Sequence, residues 1–134
     1  MYTALGRRAV AHCTALGKVL LAHRPWMEVR QTIERFGWRP YTPSSIGSYE
    51  RLQGELNKIR KQGYAVDREE RRLGVICMAA PIRERAGKVV AALSATGTLD
   101  RMTDEFCKQI LPRVLEAANR ISFRLGYHGS SAYL

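Results

Sequence analysis

The chain has 134 residues, 46% of them hydrophobic and 25% charged, and a net charge of +10. That length and balance describe a single soluble globular domain. No apolar run reaches the roughly 20 residues a membrane helix needs, and Met1-Tyr-Thr-Ala-Leu-Gly-Arg-Arg has no apolar stretch behind it for a secretory signal, so a cytoplasmic location and no membrane partner are expected.

Eleven basic and four acidic residues precede Gly63; eleven and eight follow it. No arginine run interleaves with aromatics and no RNA-binding strand motif occurs, so the excess reads as a solvated arginine-rich surface rather than a nucleic-acid interface. Cys13, Cys77 and Cys107 form no close pair, which suits reduced thiols. His12, His23 and His128 show no paired ligand spacing, so neither a metal nor another cofactor is expected.

In chain order, Thr14 is a suitable N-cap for a helix Ala-Leu-Gly-Lys-Val-Leu-Leu-Ala, with Leu16, Val19 and Leu20 near one face. Pro25 suits the first position of a second helix whose buried residues are Val29, Ile33 and Phe36 and which Gly37 stops. Trp38 to Gly47, with two prolines, reads as a loop wrapped on the surface. Ser48 caps a third helix with Leu52, Leu56 and Ile59 as its stripe, ending at Gln62-Gly63.

Tyr64 to Asp67 reads as a short strand, and Val75 to Ile82 and Lys88 to Thr96 as longer ones. Ala86-Gly87 marks a hairpin that makes the last two adjacent and antiparallel; their near-continuous apolar character predicts helices on both faces. Thr103 caps a last helix with Phe106, Ile110, Val114, Leu115, Ala118, Ile121 and Leu125 as its apolar face. Pro112 predicts a kink or a broken first turn. Gly126 ends it, and a poorly ordered tail is expected beyond. The class is α+β, with helices on an antiparallel sheet. Three strands are few for so much helix, which leaves room for further strands in the first dozen residues or for a chain that is a fragment.

The polar residues on these strands lack a catalytic set. Asp67 ends a strand and could accept hydrogen bonds from a ligand hydroxyl or from backbone amides, whereas Glu69 and Glu70, interleaved with Arg68, Arg71 and Arg72, read as a solvated turn. Cys77 shares its face with Val75 and Ala79, and no histidine stands in a cysteine-enzyme context. Ser94 and Thr96 are two apart, so both hydroxyls share a face; they are ligand partners if that face is a pocket and plain strand formers if it is exposed. The helix start Thr14, Ala15, Leu16, Gly17 offers free amides and a partial positive charge to an anion.

Five segments together resemble the effector-binding domain of IclR-type bacterial transcription regulators. They are His12-Cys-Thr-Ala-Leu-Gly-Lys-Val-Leu-Leu-Ala22, Tyr41-Thr-Pro43, Ile59-Arg-Lys-Gln-Gly-Tyr-Ala-Val-Asp-Arg-Glu-Glu70, Gly74-Val-Ile-Cys-Met-Ala-Ala-Pro-Ile82 and Ala91-Ala-Leu-Ser-Ala-Thr-Gly97. The resemblance implies a GAF-like antiparallel sheet flanked by helices and a pocket for a small organic acid or aromatic metabolite. In that pocket Thr14, Ala15, Leu16, Gly17, Asp67, Cys77, Ser94 and Thr96 would touch the effector. It also implies a homo-oligomer. The winged helix-turn-helix of the family, which contacts DNA, has no counterpart in the sequence, and the strands that normally precede the segment matching Ala4 to Cys13 are missing.

The expected function is therefore a small-molecule effector-binding regulatory domain, residues 1–134 forming one unit. A ligand-free dimerisation or interaction module is the alternative, and an enzyme a distant third. An anion resting between the Thr14 turn and the Ser94/Thr96 face would favour a ligand; a pocket filled by Met78 or Leu93 would favour association alone.

Overall fold

The computed structural model describes residues 5–6 and 8–129. Its elements are α1 (Ala15–Ala22), α2 (Trp26–Phe36), α3 (Tyr49–Gln62), β1 (Ala65–Arg68), β2 (Val75–Arg83), β3 (Val89–Thr98) and α4 (Asp104–Arg124). The strands form one antiparallel sheet in the order β1-β2-β3. The hairpin joining β2 to β3 is closed by Glu84 N to Lys88 O at 2.9 Å and Gly87 N to Glu84 O at 2.9 Å, with Gly87 at φ 88.

Register decides which residues share a face, because directly opposed residues in antiparallel strands point the same way. Asp67 opposes Cys77, and Cys77 opposes Thr96; in the next row Ala65 opposes Ala79, and Ala79 opposes Ser94. This face is covered by α1 and α3 through Ala15, Val19, Leu52, Leu56 and Ile59. The other face carries Ile76, Met78, Ala80 and Ile82, and α4 covers it with Cys107, Val114 and Ala118. The central strand is thus covered on both sides as expected, whereas most of β3 is only half-buried.

Several local expectations are corrected. In α1 the buried residues are Ala15, Gly17, Lys18, Val19, Leu21 and Ala22, while Leu16 is exposed and Leu20 half-buried. So short a helix, wedged between sheet and α3, buries more than one stripe. Phe36 is exposed at the end of α2, and Pro25 caps that helix from outside it. The 38–47 loop is anchored rather than merely wrapped: Thr42 and Ile46 are buried. Of the two outcomes expected at Pro112, a broken first turn does not occur: α4 runs unbroken through it, and the proline lies on the exposed side, where water can satisfy the carbonyl one turn earlier. Phe106, Ile121 and Leu125 are exposed, because the sheet takes the stripe of Cys107, Val114, Ala118 and Ser122 with Ile110, Leu111 and Leu115 at its margins, and these three lie off it. Tyr64 lies just before β1, which continues to Arg68. Residues 8–14 contain no strand; residues 1–4 and 7, also part of the expected extra strands, lie outside the described residues, as do residues 130–134 of the expected loose tail.

Two helical glycines have opposite surroundings. A Cβ at Gly17 would stand 2.3 Å from Ala11 O, because the segment before α1 folds back against it. A Cβ at Gly54, on the exposed side of α3, would meet nothing within 4 Å. Gly17→Ala is expected to destabilise by about 1–3 kcal/mol as backbone must move. Gly54→Ala is expected to stabilise by up to about 1 kcal/mol through helix propensity. Urea denaturation of the two variants checks both, and equal effects would refute this account of Gly17.

Candidate functional site

The site begins with the cap of α1. Thr14 Oγ1 accepts from Gly17 N at 3.1 Å and donates to Val10 O at 2.5 Å. With Gly17 capped and Lys18 N already bonded to Thr14 O at 2.9 Å, the amides of Ala15 and Leu16 are the ones the helix itself leaves over. They stand at the positive end of α1, which touches all three strands. Ala15 joins the same apolar cluster as Cys77 and Ala79.

Lys18, one turn further on, is only 1% exposed. Its ammonium has three donors, and each finds an oxygen: Val66 O at 2.6 Å, Glu70 Oε2 at 2.8 Å and Glu55 Oε1 at 3.2 Å. One side chain therefore ties α1 to β1, to the turn after it, and to α3. That turn is held from two more directions. Thr42 Oγ1 donates to Glu69 O and Ser45 Oγ to Glu70 O, both at 2.5 Å, while Asp67 Oδ1 accepts from Glu70 N at 2.8 Å. Glu70 is consequently a buried ion-pair partner, not the solvated turn residue its arginine neighbours suggested. Burial raises the carboxyls of Asp67 and Glu70 above their ordinary range, with Lys18 acting in the opposite direction on both.

Between these groups lies the polar row of the sheet. Thr96 Oγ1 donates to Cys77 Sγ at 3.1 Å, and burial raises the Cys77 thiol, leaving it neutral. Cys13, just before the α1 cap, is pushed up to about 12, first by burial and then by Asp67. Neither sulfur has the character of an activated nucleophile. Of the expected site residues, Ala15, Gly17 and Asp67 are buried, Thr14, Cys77, Ser94 and Thr96 half-buried, and the Leu16 side chain faces solvent. Asp67 uses one oxygen on the backbone of its own turn, the second of the two uses open to it in the sequence.

Met78 and Leu93 belong to the α4 face and so do not fill the face beneath α1. Two grooves open elsewhere. One of about 690 Å³ runs along the outer side of α4 from Pro112 to Arg124. The other, about 290 Å³, lies between α3, the 44–46 segment and Glu70. Neither of the two is lined by any of the eight expected residues. Lys18, Glu70, Thr42 and Ser45 were not singled out in the sequence. The available signal was a lone lysine in an otherwise apolar eight-residue helix, which demands a buried acid nearby.

Residues 1–123 match the family model of the bacterial transcriptional regulator IclR C-terminal region. The chain belongs to this family. It is 38% identical over 128 residues to the HTH-type transcriptional regulator KdgR of Dickeya chrysanthemi and 39% identical over 128 residues to KdgR of Escherichia coli, 96% of the chain in each case. These matches cover 42% and 49% of the two regulators, so the chain spans about half the length, or less, of the curated relatives it matches. The crystal structure of the KdgR C-terminal domain of E. coli superposes with a TM-score of 0.84 at 38% identity, over 91% of this chain and 74% of that one. The Thermotoga maritima IclR structure gives 0.86 at 37% identity, over 95% and 51%. The inducer-binding domain of the Acinetobacter PobR transcription factor, a double mutant in complex with 3-hydroxybenzoic acid, gives 0.83 at 32%, over 88% and 70%. The α+β, GAF-like class follows, and these relatives are transcription regulators rather than enzymes. Among the described residues no helix is long and apolar enough to cross a membrane.

The Lys18 network yields a test of both packing and charge. Lys18→Met leaves two buried carboxyls uncompensated and is expected to cost about 3–5 kcal/mol, part of which Lys18→Met/Glu70→Gln recovers. A carboxyl raised in the folded state contributes stability that is full below its unfolded value and lost as pH rises through its folded value. Removing Lys18 raises both folded values further, so the Tm gap between wild type and Lys18→Met is expected to widen from about pH 4 to pH 7. A gap independent of pH in thermal melts would refute the ion-pair account.

Proposed function

We propose that this chain is the effector-binding part of an IclR-type bacterial transcription regulator and takes a small organic acid or aromatic metabolite bearing a carboxylate. The observation that carries the reading is the polar row Asp67–Cys77–Thr96, with Ser94 beside it, on the sheet face that the start of α1 covers. On this reading the effector carboxylate accepts from the Ala15 and Leu16 amides and benefits from the α1 dipole. Ser94 and Thr96 supply hydroxyls, and Cys77 a small neutral wall. Thr14 and Gly17 shape the helix start, while Asp67 fixes the turn that closes the far side of the row. The 3-hydroxybenzoic acid held by the PobR inducer-binding domain is an acid of this class and supports the assignment.

No reaction follows from these residues. The thiols are neutral, and no imidazole is hydrogen-bonded to either Cys13 or Cys77 among the described residues. The chemistry suits reversible binding whose energy biases a partner domain. DNA contact, on this reading, is made by a separate winged helix-turn-helix, and the regulator works in the cytoplasm.

A second reading, association without a ligand, draws on exposed apolar side chains of α4: Phe106, Ile121, Phe123 and Leu125. It also draws on the outer edge of β3, which no strand among the described residues pairs and whose ten residues carry no charge to discourage pairing. Both readings predict a homo-oligomer, and a strictly monomeric mass by light scattering at micromolar concentration would remove that element. They part on ligand binding. Screening carboxylic acids by thermal shift is expected to find a stabilising effector, a ligand at about 100 times its Kd adding roughly 2.7 kcal/mol. Ser94→Val and Thr96→Val are each expected to weaken that effector by about 1–3 kcal/mol. Unchanged affinity in both variants by titration calorimetry would sink the site.

A further inference from the structure

The groove of about 290 Å³ beside Glu70 is separate from the face beneath α1, and its lining is mostly charged and polar, with Ile46 as its one large apolar side chain. Its volume falls near the lower end of small-molecule pockets. Residues of both signs line it, Arg51 and Arg68 with Glu55 and Glu70, although the Arg68 side chain runs to the α4 face, where its Nη1 is 3.9 Å from Asp104 Oδ1. The carboxylates converge on Lys18 from one side, each through a single oxygen. Glu70 Oε1, the second oxygen, is buried and has no hydrogen-bond partner. A buried acceptor in that condition is expensive, and a donor reaching it from the groove would satisfy it.

One guanidinium is similarly uncommitted: Arg51 takes part in none of the ion pairs among the described residues. Gly54 supplies an independent observation. It sits inside α3, where glycine costs about 1 kcal/mol relative to alanine, and no packing neighbour requires it, since a Cβ there meets nothing within 4 Å. Gly54 lines the groove, and any side chain at that position would project into its open space.

We propose that this groove is a second binding site, for a small zwitterion of the α-amino acid class. The ammonium donates to Glu70 Oε1 and to Glu55, whose remaining oxygen is free of Lys18. The carboxylate is held by Arg51, with the Ser44 hydroxyl at the rim. The reading does not depend on the effector site, although Glu70 would connect the two: its carboxylate would hold the zwitterion, and its amide is held by Asp67.

The test is a titration of the ¹⁵N-labelled chain with glycine, L-alanine and L-serine, and with propionate and ethylamine as single-charge controls. Saturable amide shifts at Ser44, Gly54 and Glu70 are expected with at least one amino acid, and binding about tenfold weaker or worse with either control. Gly54→Leu fills the groove while improving helix propensity, so it should fold at least as well as wild type by its melting temperature and lose the shifts. Arg51→Ala, on the exposed side of α3, should weaken binding about tenfold with the fold unchanged. The absence of saturable shifts with all three amino acids, equal binding by propionate or ethylamine, or binding that survives in Gly54→Leu overturns the proposal. The Ser94 and Thr96 variants leave these shifts intact, which keeps this outcome distinct from that of the effector site.

Discussion

A single buried ammonium organises one side of this molecule. Transferring the Lys18 charge out of water is costly, and the cost is offset only because all three of its donors reach oxygens. Those oxygens come from β1, the turn after β1 and α3, elements separated in sequence by 37 to 52 residues from Lys18. Val66 O lies on the open edge of β1, so the same contact occupies an acceptor that a foreign strand could otherwise use. Directional charge contacts of this kind select one arrangement of α1 over the sheet more sharply than apolar packing does.

The turn that Lys18 holds is fastened on every side. Its carbonyls take hydroxyl donors from Thr42 and Ser45, and its amide is taken by Asp67. The 41–45 loop is therefore part of the same unit as the end of β1. Since Asp67 stands in line with Cys77 and Thr96, the unit that fixes the turn also fixes one end of the polar row. A ligand touching that row would meet a preorganised wall, and binding energy would not be spent on ordering it.

The two faces of the sheet are built for different tasks. Ile76, Met78, Ala80 and Ile82 interlock with α4, and the buried Ser122 hydroxyl, which accepts from Arg83 N at 2.9 Å, is the polar contact at the end of this face. The opposite face has only small or polar side chains in its central rows, Ala65, Ala79 and Ser94, then Asp67, Cys77 and Thr96. Large residues there would lift α1 away; small ones bring its positive end close to hydroxyls. Gly17 serves the same purpose by letting the preceding segment lie against the helix.

The sequence by itself determined the four helices, their caps at Thr14, Ser48 and Thr103, the three strands and the hairpin at Ala86-Gly87. Each of these is written in local chemistry, a capping hydroxyl or an apolar period. It also placed Ser94 and Thr96 on one face, a matter of counting by two. Only the tertiary structure decided that Glu70 is buried while its arginine neighbours suggested water, that Lys18 is a core residue, and that Leu16, Phe36, Phe106 and Leu125 face outward. The pairing of Asp67 with Cys77 and Thr96 was likewise beyond reach, since register is set by strands that meet across the sheet. The physical reason is common to all of these. Burial and charge pairing depend on which distant segment arrives at a given surface, and one sequence read along its length records the residue but not its visitor.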